Sequence, residues 1–100
     1  MEVTLTIDGK EKKFSSGKVY LAALINLTEM QTRIDFKTLD KKEDIQEFAQ
    51  FIADDIFHGQ FTSEELINGI DMIEWNKKYL EFFDVVMGIL PSAETEEEKN

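Results

Sequence analysis

His58 is the one histidine in the chain, and Asp54 stands four positions before it, a spacing that brings an imidazole and a carboxylate to one side of a helix. Such a pair supplies only part of the ligand set of a zinc ion, and no second histidine or cysteine completes it. A general base at His58 also needs a positioned nucleophile, and one histidine with no cysteine gives Ser-His or Cys-His catalysis no supporting arrangement. His58 therefore reads as a polar residue at a helix end. Ser16-Gly17-Lys18 is the fragment nearest to a phosphate loop, in which backbone amides and a lysine neutralise phosphate charge. That motif requires a glycine five residues before Gly17 and a serine or threonine after the lysine, where this chain has Lys12 and Val19. Carboxylate pairs occur at Glu43/Asp44, Asp54/Asp55 and Glu64/Glu65, near helix ends or on polar faces, where acids complement the helix dipole. General acid–base work needs a desolvated carboxylate in a cleft, and nothing marks one of these pairs out for it. The expectation is a protein with no catalytic residues, no metal ligands and no cofactor, and so not an enzyme.

Composition narrows the partners. Twenty-one Asp and Glu against 11 Lys and Arg give a formal net charge of −10, which opposes a phosphate backbone or an anionic leaflet. Neither nucleic acid nor a membrane is expected as a partner. The absence of cysteine removes disulfides and thiolate chemistry together. The first residues show neither the basic start nor the apolar segment of a signal peptide, and no apolar run is long enough to span a bilayer. The expected location is the cytoplasm, where the Asn26-Leu27-Thr28 glycosylation sequon has no use.

The elements that must position any site follow from local patterns. With 42% hydrophobic and 11% aromatic residues in 100 positions, there is material for one core. A single α+β domain, mostly helical, is expected over residues 1–90. Residues 91–100 hold four Glu, one Lys and almost nothing apolar, which predicts a disordered acidic tail. Val3, Leu5 and Ile7 alternate with polar residues and run into Asp8-Gly9, so an N-terminal hairpin is predicted in which Ile7 faces Lys10, Leu5 faces Lys12 and Val3 faces Phe14. An isolated hairpin is marginal in water, so its apolar face must lie on a small bundle of three to four helices. The first helix is expected over residues 17–31, capped by Ser15-Ser16-Gly17, followed by an extended linker or short strand over residues 32–39. Asp40 with Glu43 matches a reciprocal cap for a second helix over residues 41–57, whose stripe is Ile45, Phe48, Ala49, Ile52, Ala53 and Ile56. Thr62 with Glu65 opens a short helix over residues 63–68, Asn68-Gly69 breaks it, and Asp71 with Glu74 opens a final helix over residues 71–87.

That final helix carries more apolar surface than one amphipathic stripe. Ile73, Leu80 and Met87 fall near one side, while Trp75, Tyr79, Phe82 and Val86 occupy another, at about 100° per residue. Either the helix is buried all round, or one face is kept for another chain, since aromatic anchors concentrate at interfaces. The candidate partner-binding residues are Trp75, Tyr79, Phe82, Phe83 and Val86, serving a different protein or a second copy of this one.

The order of features resembles the small tail assembly chaperones of long-tailed, siphovirus-type bacteriophages of Gram-positive hosts. The similarity rests on the hairpin Leu5-Thr6-Ile7-Asp8-Gly9-Lys10, on Ile56-Phe57-His58-Gly59-Gln60-Phe61-Thr62 and on Glu65-Leu66-Ile67-Asn68-Gly69-Ile70, and covers residues 1–90. It implies a non-enzymatic protein of the host bacterial cytoplasm that coats the helical tape measure protein and holds it soluble until tail tube subunits polymerise around it. The tape measure protein is then the expected partner, with the major tail protein as a second. A different class of function also suits an acidic chain: a DNA mimic that inhibits a nucleic-acid-binding enzyme. It calls for regular phosphate-like carboxylate spacing on one face, whereas the acids here are dispersed, with part of the excess in the tail.

Overall fold

Strand β1 (Glu2–Ile7) turns at Asp8-Gly9 into strand β2 (Lys10–Ser15). Both turn residues have positive φ, 53° and 78°, the left-handed backbone that a two-residue hairpin needs. The antiparallel register pairs Ile7 with Lys10, Leu5 with Lys12 and Val3 with Phe14, as the turn predicts. Four helices follow: α1 (Leu21–Gln31), α2 (Lys42–Phe51), α3 (Ser63–Gly69) and α4 (Met72–Val86). The fold is α+β and mostly helical, an N-terminal hairpin on a helical body. This computed structural model describes residues 1–90, and the acidic tail expected over residues 91–100 lies outside the described residues.

Four local expectations are corrected. Helix α1 begins at Leu21, not near Gly17, because Ser15-Ser16-Gly17 closes the hairpin instead of capping a helix. The Ser16 N–H donates to the Met1 carbonyl at 2.9 Å, the Ser16 hydroxyl donates to the Gly17 carbonyl at 3.1 Å, and Gly17 takes a φ of 71°. Residues 32–39 form turns, not a strand. Asp35 organises them: its side chain accepts from the Lys37 N–H and its carbonyl from the Leu39 N–H, both at 2.9 Å. Leu39 closes that turn with a φ of 34°, so the chain reaches helical geometry only at Lys42 and the Asp40–Glu43 cap does not form. Asp71 does cap α4, accepting from the Ile73 N–H at 2.8 Å, but Glu74 does not complete a box. Its carboxylate accepts the Thr4 N–H of β1 at 3.1 Å instead.

Helix α2 continues as a π-helical turn over Ile52–Ile56, in which the Phe57 N–H reaches back to the Ile52 carbonyl. His58 and Gly59, at φ 56° and 77°, then reverse the chain. The box at α3 forms as predicted, with Thr62 Oγ1 accepting from the Glu65 N–H at 3.0 Å and Glu65 accepting from the Thr62 N–H at 2.9 Å. The buried side chains make one connected cluster from Val3 and Leu5 of β1 through Leu27, Phe48, Ile52, Ile56 and Leu66 to Phe82. Gly69 brings α3 onto β1: a Cβ there would sit 2.7 Å from the Thr6 carbonyl oxygen.

Candidate functional site

The aromatic side of α4 is seated on Phe48. That ring is fully buried, and the rings of Phe36, Trp75, Tyr79, Phe82 and Phe83 surround it with centroids 5.0 to 6.2 Å away. Of the five side chains selected as partner-binding, Phe82 and Val86 are therefore core residues, whereas Trp75, Tyr79 and Phe83 are half-buried and keep an edge toward solvent. The Tyr79 hydroxyl donates to the Phe36 carbonyl at 2.7 Å. Burial, with a smaller contribution from the Asp35 carboxylate, raises its pKa above the ordinary phenol value.

The opposite side of α4 is the open one. Ile73, Leu80 and Met87 are 68%, 70% and 56% exposed, spaced every seven residues, so they form one stripe along the helix. Met72, beside Ile73, is exposed as well. It also borders an apolar groove of about 330 Å³ whose walls include Leu39, Ile45, Leu66, Ile70 and Trp75. Lys77 and Asp84 interrupt the stripe with both signs of charge, while Lys78 and Glu81 form an ion pair at 3.8 Å on the side toward β1. The sequence separates these two sides of the helix but does not show which of them the core covers. The heptad spacing of Ile73, Leu80 and Met87 marks the side that stays exposed.

The remaining candidates are engaged elsewhere. His58 Nε2 lies 2.6 Å from the Lys18 carbonyl oxygen, which only accepts, so that nitrogen carries a proton; the ring stands edge-on to Tyr20. Asp54 accepts from the Gln50 amide at 2.7 Å and Asp55 from the Asn26 amide at 2.6 Å. Glu65 serves the α3 box, while Glu43, Asp44 and Glu64 stand in the first turns of their helices. Arg33 donates to both Glu29 and Glu47, and those hydrogen bonds hold both carboxyls below their ordinary range. Among the described residues no group of three or more His, Asp or Glu is arranged to hold a metal ion, and no helix is long and apolar enough to cross a membrane.

No curated protein and no solved structure matches the chain. A family model does, and it spans residues 1–100: with its hairpin, its boxed α3 and an α4 that keeps one apolar side uncovered, the chain belongs to the family described as phage tail chaperone protein.

Proposed function

We propose that this protein is a tail assembly chaperone that binds apolar helical segments of the phage tape measure protein and keeps them soluble in the infected cell until the tail tube encloses them. The observation that carries the reading is the stripe Ile73, Leu80 and Met87, three apolar side chains left open on a helix face they share with Lys77 and Asp84. A partner helix laid along it gains burial of roughly 25 cal/mol per Å² of apolar area, and methionines at positions 72 and 87 adapt to irregular partners. Trp75, Tyr79 and Phe83, half-buried against Phe48 on the opposite side, and the buried Phe82 and Val86 hold the helix in place from beneath. The net charge of −10 keeps the loaded complex dispersed by self-repulsion. The step requires no bond-making and no cofactor. The major tail protein is a second partner of the same kind, and a second copy of the chain can occupy the stripe when the partner is absent.

The test is co-expression of this protein with the tape measure protein of its own phage, reading the soluble fraction of the latter. The parent chain raises it, and Leu80→Asp, which changes an exposed residue and leaves the core intact, removes the effect. A folded Leu80→Asp protein that rescues as well as the parent shows that the stripe is not the contact. A parent that fails to rescue overturns the chaperone reading itself.

A further inference from the structure

A second uncovered face lies on α1 and uses none of the α4 residues. Tyr20, Leu21 and Ile25 are 63%, 71% and 61% exposed, with Leu21 and Ile25 one helical turn apart. Beside Ile25 a groove of about 380 Å³ runs between α1 and the end of α2, over the buried side chains of Met30 and Phe51. Its rim carries Glu29, Glu47, Asp54 and Asp55. Arg33 answers two of these charges, Glu29 at 2.7 Å and Glu47 at 2.5 Å. Asp54 and Asp55 have only the neutral amides of Gln50 and Asn26, and among the described residues neither makes an ion pair. The π-helical turn at Ile52–Ile56 is what carries this pair at the groove's end.

We propose that this face is a docking surface for a basic amphipathic helix of a partner protein. Charge complementarity selects that occupant. An anionic ligand meets uncompensated carboxylates, and a wholly apolar helix would desolvate Asp54 and Asp55 with nothing to pair them, which costs more than the burial of Ile25 and Leu21 returns. A helix with an apolar stripe flanked by Lys or Arg satisfies both halves of the surface. Its apolar residues cover Leu21 and Ile25, its cationic heads reach Asp54 and Asp55, and its aliphatic stems lie across the groove. The inference does not depend on the use of the α4 stripe.

The probe is a synthetic amphipathic peptide with leucines on one face and lysines flanking them, compared with a twin carrying glutamate in place of lysine, with binding read by fluorescence anisotropy. The lysine peptide binds the intact protein and the glutamate twin does not. Asp54→Lys and Asp55→Lys each weaken the lysine peptide by about tenfold or more, as expected for a close charge pair, while Glu64→Lys, outside the groove, changes it less than about twofold. Ile25→Ser weakens it as well, and the series is repeated in a Leu80→Ser background, which removes any contact at the α4 stripe and in which the same differences persist; circular dichroism confirms that each variant is folded. Three results overturn the proposal: equal weakening by Glu64→Lys and Asp54→Lys, which means diffuse attraction to an acidic protein; no effect of Ile25→Ser, which means charge without docking; or complete loss of binding in the Leu80→Ser background, which places all of the contact on α4.

Discussion

The Tyr79 hydroxyl and the Phe36 carbonyl, 43 positions apart, are joined by a hydrogen bond of 2.7 Å that fastens the middle of α4 to the turns between α1 and α2. The turns lack regular structure of their own, and this bond, with the edge-on contact of Phe36 against Phe48, fixes where they sit. Tyr79→Phe keeps the ring and removes the donor, leaving a carbonyl in need of water. The expected loss is about 1 kcal/mol in urea unfolding. The phenol's raised pKa also has a sign: the neutral form is favoured by folding, so this contribution is complete below the ordinary value of 10.0 and is lost as the pH rises through the folded one. Spectrophotometric titration should show the Tyr79 phenol ionising above the ordinary range.

Phe82→Ala and Leu80→Ser separate the two sides of α4. Phe82 is fully buried, and its truncation should cost about 3–5 kcal/mol, a large share of the roughly 5–15 kcal/mol that holds a domain of this size together. Leu80 is 70% exposed, and its replacement should change stability by less than about 0.5 kcal/mol. Thermal unfolding of both variants checks the assignment. Equal losses would mean that the stripe is packed in solution.

Gly69→Ala tests the approach of α3 to β1. The added Cβ would lie 2.7 Å from the Thr6 carbonyl oxygen and 3.3 Å from its nitrogen, and both atoms are backbone, so the helix or the strand must move. A destabilisation of about 1–3 kcal/mol is expected, against the small gain that Gly→Ala gives in an unobstructed helix. Denaturant midpoints decide it.

Arg33→Gln removes the clamp between α1 and α2. Glu29 and Glu47 have pKa values lowered by their hydrogen bonds to Arg33, so the clamp's contribution is present above the ordinary carboxylate value of 4.5 and is lost as the pH falls through the lowered ones. The parent should be slightly more stable than the variant at neutral pH, and the difference should vanish on acidification. Added salt should shrink it too, because all three groups are largely exposed.

Elements whose cause is local were legible in the sequence. The Asp8-Gly9 turn dictates the register of six residue pairs, and the Thr62–Glu65 box fixes the start of α3, because both depend on neighbours within a few positions. Where a residue has a distant alternative, local reading fails. Ser16 closes the hairpin against Met1, and Glu74 serves Thr4 across 70 positions, so neither makes the helix cap that its neighbours suggest. The burial of Phe82 and Val86 was hidden for the same reason. Both sides of α4 are apolar, and the choice between them is made by Phe48 on another helix, whose ring gathers Trp75, Tyr79 and Phe82 and leaves Leu80 outside.

The tie between Glu74 and Thr4 also sets a timetable for the growing chain. Val3 and Leu5 are synthesised well before the elements that contact their strand, α3 and α4. Closing such long loops is the slow step in folding, and a hairpin waiting for its cover offers a bare strand edge and an apolar face to its surroundings. A truncated product that stops short of Gly69 would therefore leave that face uncovered for good. Translation must pass Glu74, in the first turn of α4, before the tie to Thr4 can form.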